Sequence, residues 1–195
     1  MTKRPLASIR VRRARPADGR RILEIEHELA AWERLRPPGA AEGRKLLAMI
    51  FDRREVEALV AIVEGRVEGV ALYWFALGSS FRARRVLGLE DLVVSESARG
   101  AGIGQALMKA LAREAVRRKA IRMEWDVLDW NTEAIRFYRR LGARSRAPWL
   151  RYTLDEKAMK ALASPSRSEP PRGPSPRGGP RRRGTRPASL GRTSP

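Results

Sequence analysis

The stretch Val93–Leu107, VVSESARGAGIGQAL, places three alternate glycines between an apolar run and an amphipathic run. The apolar run predicts a buried strand, and the amphipathic run predicts a helix from Ile103 onward. Glycine lets a backbone approach a ligand closely and accepts positive φ, while the N–H groups at a helix start attract anions. We therefore predict a pyrophosphate site in this turn, formed by Arg99, Gly100, Ala101, Gly102, Ile103, Gly104 and Gln105.

The glycine spacing excludes two common phosphate motifs. It does not fit the G-x-G-x-x-G of dinucleotide-binding folds, and no Gly-Lys-Ser/Thr follows as in a P-loop. It fits Arg-x-x-Gly-x-Gly, at Arg99, Gly102 and Gly104. The alternative is a glycine-rich turn that binds nothing.

A second motif begins about 30 residues later, at Asn131, and reads NTEAIRFYRRLGA. Asn131 is a good helix cap, and Gly142 suits the position after the helix end. Taken without any comparison, Phe137 and Tyr138 would simply be aromatic residues packed in the core.

Together the two motifs resemble those of the GNAT superfamily of N-acetyltransferases. The order of LEDLVV, RGAGIG, WN and FY, with an early ELAAWE, is similar to the spermidine/spermine (diamine) acetyltransferases. The resemblance covers about residues 8–160. It implies an α/β fold, the GNAT fold, with a mixed central β-sheet flanked by helices.

Hydrophobic periodicity predicts the order β-α-α-β-β-β-α-β-α-β. Strands are predicted at 8–13, 56–63, 66–77, 88–94, 121–128 and 150–154. Helices are predicted after a cap at Asp18, over about 42–51, over 103–119 and from Asn131 to Leu141.

The resemblance implies acetyl-CoA as cosubstrate and no metal. It extends the cofactor-binding set beyond the glycine turn, to Leu92, Val93, Val94, Asn131 and Ala134. It also makes Tyr138 the group that protonates the departing thiolate.

A primary amine has a pKa near 10.4, so at pH 7 under about one molecule in a thousand is neutral and able to attack. An acid near the cleft must assist deprotonation. Side chains alternate along a strand, so only one of Glu90 and Asp91 is expected to face the cleft. The resemblance favours Glu90; the alternative is a solvated or salt-bridged acid.

The resemblance places the acceptor amine, of a polyamine or a thialysine-like amino acid, near acids and aromatic rings. Trp32 could instead pack in the core, and Glu124 and Asp126 could be solvated acids on a strand edge. Arg144 and Arg146 stand where the diamine family has acids, which favours an acceptor that carries a carboxylate. The implied acceptor residues are Trp32, Glu33, Glu90, Glu124, Trp125 and Asp126.

The chain has 195 residues, 41 Lys plus Arg against 22 Asp plus Glu, no Cys and one His. This excludes disulfides and Cys- or His-rich metal sites. Of the net charge of +19, +7 lies in residues 164–195 and +12 in residues 1–163. Residues 164–195 are rich in Pro, Gly and Arg and are predicted to form a disordered tail after an acetyltransferase domain at 8–160. We expect a cytoplasmic protein without membrane spans and, from the resemblance, a homodimer.

Two alternative functions stay open. The same chemistry could act on a protein lysine or N-terminus. The domain could also be a non-catalytic GNAT scaffold, with nucleic acid bound only through the basic tail. The tail has no aromatic residues on which bases could stack.

Overall fold

The computed structural model describes residues 8–81, 83–146 and 150–164. Of the tail predicted at 164–195, residues 165–195 lie outside the described residues. By its contacts the chain divides into two units, one up to Ala143 and one from Arg144. The domain limits 8–160 and 164–195 stay a prediction.

The first unit is built on a five-stranded sheet whose spatial order follows the chain. The first four strands run antiparallel to one another. The fifth runs parallel to the fourth, which makes the sheet mixed. The strands are β1 Arg10–Arg13, β2 Glu57–Val63, β3 Arg66–Ser79, β4 Arg84–Val94 and β5 Met123–Glu124.

Helices cover both faces of this sheet. Alternation along β2 sends Val60 to a core shared with Ile22 and Ile25, and Leu59 to a core shared with Leu107 and Leu111. The predicted mixed sheet flanked by helices is therefore confirmed. The helices are α1 Gly19–Trp32, α2 Ala40–Phe51, α3 Ile103–Arg117 and α4 Thr132–Arg140 in the first unit, and α5 Glu156–Ala163 in the second.

Gly69 on β3 fixes how closely α3 approaches the sheet. A Cβ atom at this position would lie 2.7 Å from Ile103 Cγ2 and 3.1 Å from Leu107 Cδ1, closer than packed atoms allow. The absence of a side chain lets the first turn of α3 sit directly on the sheet. This places the N-terminus of α3 beside the end of β4.

The β4 strand carries an irregularity that the sequence did not reveal. Leu89 pairs with Tyr73 and Asp91 pairs with Leu72, so Glu90 is an extra residue in the ladder, a β-bulge. Strict alternation therefore breaks at the Glu90–Asp91 pair. Glu90 is exposed, whereas Asp91 is partly buried, and the expectation that only one of these acids faces the cleft stays a prediction.

The β5 strand is much shorter than predicted. Its pairing with β4 is limited to Leu87 with Met123 and Gly88 with Glu124, and the chain leaves β4 after Glu124. The apolar pattern of 121–128 was thus not enough to predict a long strand, because β4 and β5 diverge there. The divergence leaves one edge of β4 open from Leu89 to its end.

Two other local predictions were also wrong. Residues 150–154 form no strand: five alternating residues do not make one without a partner edge, which the sequence cannot show. Asp18 stands at the N-cap position of α1, but its side chain accepts no hydrogen bond from that helix; it ends a 3₁₀ turn and accepts two hydrogen bonds from Arg12, at 2.6 and 2.9 Å. None of the helices in the described ranges is long and apolar enough to span a membrane.

Candidate active site

The turn from β4 into α3 has the backbone that its glycines predicted. Gly102 caps α3 with φ of 86°, and Gly100 has φ of 76°, both in the left-handed region that disfavours side chains. The first-turn N–H groups of α3 have no helical acceptor and point out of the helix end. The turn is thus shaped to hold an anion.

A cleft of about 520 Å³ opens in front of this turn. Its walls come from the end of β4, the start of α3, and α4. Of the predicted cofactor residues, all but Ala101 line it: Leu92, Val93, Val94, Arg99, Gly100, Gly102, Ile103, Gly104, Gln105, Asn131 and Ala134. Ala101 is exposed in the turn itself.

The open edge of β4 supplies backbone groups to the cleft. Because β5 stops pairing at Gly88, the N–H and C=O groups of Leu92–Val94 on that side have no sheet partner among the described residues. Arg99 Nε donates to the carbonyl oxygen of Val94 at 3.4 Å, which holds the guanidinium beside the strand end. Glycine turn, helix N-terminus and arginine together fit a ligand with a pyrophosphate and an amide-rich arm.

The far wall is α4. Asn131 Oδ1 accepts the backbone N–H of Ala134 at 3.0 Å, so the predicted helix cap is confirmed. Tyr138 lies on the cleft side, with ring centroids 4.9 Å from Trp125 and 5.2 Å from Phe137. Burial, and then the negative charge of Asp91, raise the pKa of Tyr138 to about 12. Its phenol therefore keeps its proton at neutral pH, as a proton donor must.

Four acids interact with one another through their charges, and we call them the acid cluster: Glu26 of α1, Glu33 at the C-terminal cap of α1, and Glu90 and Asp91 of β4. Asp91 links this cluster to Tyr138. Burial first, then the charges of Asp91, Glu33 and Glu90, raise the pKa of Glu26 to about 8. Burial, Glu90 and Glu33 raise that of Asp91 to about 6. A raised pKa in a group that also faces like charges is common in functional sites.

Glu33 and Glu90, two of the predicted acceptor residues, thus join one cluster. Trp32 lines the cleft, is 37% exposed and lies 5.1 Å from Trp130 between ring centroids, so it is not a core residue. The alternative interpretation, that Trp32 packs in the core, was wrong.

The other predicted acceptor residues lie beyond β4. Glu124 on β5 binds Arg122 Nε at 2.8 Å, so it is not a free strand-edge acid. Trp125 packs on the Tyr138 ring, and Asp126 is exposed. Arg144 and Arg146 belong to the second unit.

The sequence analysis missed Glu26 and Trp130. It also missed that both Glu90 and Asp91 interact with the acids at α1. Glu26 sits on the buried face of α1, between Ile22 and Leu29 in the helical repeat, and a carboxyl at such a position was the available signal. Trp130 adjoins the cap residue of α4, but only the fold brings it to Trp32.

Comparison with known proteins gives a consistent result. The model of the Acetyltransferase (GNAT) family matches residues 21–143. Thialysine N-epsilon-acetyltransferase of Mus musculus is 32% identical over 81% of this chain and 99% of its own length. L-ornithine N5-acetyltransferase of Arabidopsis thaliana is 36% identical over 49% of this chain and 42% of its own.

A solved structure agrees. An integron cassette protein from the mobile metagenome of V. cholerae superposes with a TM-score of 0.68 at 26% identity, over 81% of this chain and 99% of that one. The glycine turn, the divergence of β4 from β5 and the capped α4 are thus set in a known architecture. The chain belongs to the GNAT family of acetyltransferases.

Proposed function

We propose that this protein moves the acetyl group of acetyl-CoA to a primary amine of a small aliphatic molecule, a diamine or a basic amino acid of the thialysine type. The observation that carries this proposal is one cleft with two chemically different ends. One end has a glycine turn and Arg99, which suit phosphates. The other end is lined by Trp32 and Tyr138, and the negative charge of Asp91 acts on Tyr138 there, which suits a cation.

The cofactor end assigns roles to backbone atoms. Free N–H groups of the α3 start would bind the pyrophosphate, and Arg99 would add a positive charge to it. The open edge of β4 would hold the extended arm. An N–H group at Leu92–Val94 would polarise the thioester carbonyl, whose carbon is the centre of attack.

The acceptor end assigns roles to side chains. Glu90 assists removal of the amine proton, directly or through water, and Asp91, its neighbour in the bulge, is positioned to share that role. The neutral amine attacks the thioester carbon, and the bond from that carbon to sulfur breaks. Tyr138, which holds its proton at neutral pH, donates it to the leaving thiolate.

Two named relatives support an amino acid as acceptor. Thialysine and ornithine each carry a side-chain amine that is acetylated, a second amine and a carboxylate. An ammonium group fits an acid cluster, and ring faces such as those of Trp32 and Trp130 attract cations. We therefore expect thialysine to be preferred over spermidine.

The deciding experiment is a steady-state screen with acetyl-CoA and detection of the released thiol. The amines are thialysine, ornithine, lysine, putrescine, spermidine and a lysine-containing peptide. Turnover of thialysine with the highest kcat/KM supports the proposal. Preference for the peptide would instead favour the protein acetyltransferase, and no turnover with tail-dependent DNA binding would favour a scaffold.

A pair of glycine variants controls the screen. Gly102→Val should abolish turnover, because its φ of 86° and the cofactor path tolerate no side chain. Gly65→Val strains a glycine of similar φ, 81°, in the β2–β3 turn, and should leave the kinetics unchanged. Equal loss in both variants would mean misfolding rather than a missing cofactor site.

The homodimer, the cytoplasmic location and a nucleic-acid role for the tail stay predictions. The tail from residue 165 onward and Trp149 lie outside the described residues.

A further inference from the structure

Glu26 is a buried acid with an unmet hydrogen-bonding group. Its residue is 8% exposed, and its Oε1 has no hydrogen-bond partner, the one such buried side-chain atom in the described part of the chain. Asp18, equally buried, is held by Arg12 and by the backbone N–H of Arg15. An unpaired buried carboxyl costs stability, so it needs an explanation other than folding.

The groups that face Glu26 are acids on two elements. Glu33 lies at the C-terminal cap of the helix that carries Glu26, and Glu90 and Asp91 lie on β4. Tyr138 on α4 interacts with the cluster through Asp91. No trio of His, Asp or Glu side chains in the described ranges is placed to hold a metal ion. The cation that the proposed function brings to these acids is the ammonium group of the acceptor.

We propose that Glu26 is the proton reservoir of the acceptor site: it is protonated in the free enzyme and releases its proton when an ammonium group binds at Glu33, Glu90 and Asp91. This inference rests on the proposed function and names a residue that acts through the cluster, a positioning residue. It makes acceptor binding depend on pH.

The charge balance explains why release occurs on binding. Without acceptor, the charges of Asp91, Glu33 and Glu90 and the burial of Glu26 favour its neutral form, and its pKa is about 8. An ammonium group among those acids cancels part of their field, so the carboxylate of Glu26 becomes the favoured form. The proton goes to solvent, and one more negative charge then holds the acceptor.

The test is isothermal titration calorimetry of thialysine binding to the enzyme–CoA complex at pH 7, in buffers with different ionisation enthalpies. Wild type should release a large fraction of one proton. Glu26→Gln, a neutral residue of the same shape, should release nearly none and raise the KM for thialysine about tenfold, with the KM for acetyl-CoA unchanged. Glu26→Leu should lose proton release equally.

Glu24→Gln is the matched control. It removes a carboxyl from the same helix, but Glu24 is partly exposed and pairs with Arg20 and Arg21. We expect its proton release and KM to equal those of wild type. A second reading is the pH profile: the KM for thialysine should fall by up to about tenfold per pH unit between pH 6.5 and 8 in wild type and stay flatter in Glu26→Gln.

Two failures are distinguishable. If thialysine is acetylated by wild type and by Glu26→Gln with the same KM and the same number of protons released, the inference on Glu26 is overturned and the proposed function stands. If no variant and no wild-type sample acetylates thialysine or any other amine in the screen, both fall together.

Discussion

Two groups of acids in the first unit have opposite surroundings. Glu114 of α3 and Glu57 of β2 are bound by arginines: Glu114 accepts from Arg117 and Arg118 at 2.6 and 2.7 Å, and Arg13 reaches both acids at 2.8 and 3.0 Å. The acid cluster at Glu26, in contrast, has no arginine or lysine partner among the described residues, and its charges repel each other. The two groups therefore differ in whether arginines pair with their acids, not in how many acids they contain.

The pKa values follow from this difference. The arginine bonds, Arg117 first, lower the pKa of Glu114 to about 2, while burial and like charge raise that of Glu26 to about 8. A chain with 41 Lys and Arg could pair all of its 22 acids. The acid cluster, with Asp91 acting on Tyr138, is therefore the part of the described chain where we propose that an external cation binds.

One tyrosine adjoins each group of acids, and the largest effect is expected at Tyr138, beside the acid cluster. Tyr138→Phe should lower kcat by about a hundredfold or more, since it removes the proton donor and keeps the ring. The KM for acetyl-CoA should stay the same. The measurement is steady-state kinetics at saturating thialysine.

Tyr73→Phe is its matched control, since Tyr73 is buried and its hydroxyl donates to Glu57 Oε2 at 3.1 Å in the arginine-paired group. It should leave kcat within about twofold while changing stability. An unchanged kcat in Tyr138→Phe would remove Tyr138 from the chemistry.

A second comparison exchanges single acids of the cluster for amides. Glu90→Gln and Asp91→Asn should each lower kcat/KM about tenfold to a hundredfold, because they remove the charge that attracts the amine and assists its deprotonation. The variant with the larger fall in kcat identifies the group nearer the proton. Glu114→Gln should leave kcat/KM unchanged, and a similar fall there would mean that any lost acid disturbs the fold.

Local features of the fold and of the site could be predicted from the sequence, and features that depend on distant strands could not. The glycine turn and the Asn131 cap were predictable, because φ preferences and capping are local properties of a few neighbouring residues. The bulge at Glu90 and the short β5 were not, because both depend on pairing with a distant strand. The position of Glu26 on the apolar face of α1 was a signal in the sequence, but its interaction with Glu90 and Asp91 was not, because it depends on how α1 packs on β4.

A third comparison measures stability in the arginine-paired group. Glu114→Gln should lower the free energy of unfolding at pH 7 by about 1–3 kcal/mol, since it removes the carboxylate that Arg13, Arg117 and Arg118 share and leaves only Glu57 to pair with Arg13 and Arg118. The pKa of Glu114 is lowered on folding, so its contribution is present above about pH 4.5 and is lost as the pH falls toward 2. Urea unfolding of wild type and variant should therefore converge in acid.

The smallest effect has the opposite sign and belongs to Glu26. Its pKa rises on folding from 4.5 to about 8, so the folded protein binds more protons than the unfolded chain between these values, and stability falls as the pH rises through them. Glu26→Gln removes this penalty and should gain about 1–2 kcal/mol at pH 8, with no gain near pH 4.5. Urea midpoints across pH 4.5–9 would measure it, with Glu24→Gln as the control that stays level with wild type.

A Glu26→Gln protein that is more stable and yet binds thialysine less well would show the cost of an unpaired acid kept for function. Equal stability at all pH values would mean that the protein relaxes around Glu26 and that its carboxyl is as easily ionised as one in water. The contrast with Glu114 would then disappear, since the carboxylate of Glu26 would cost the folded state no stability.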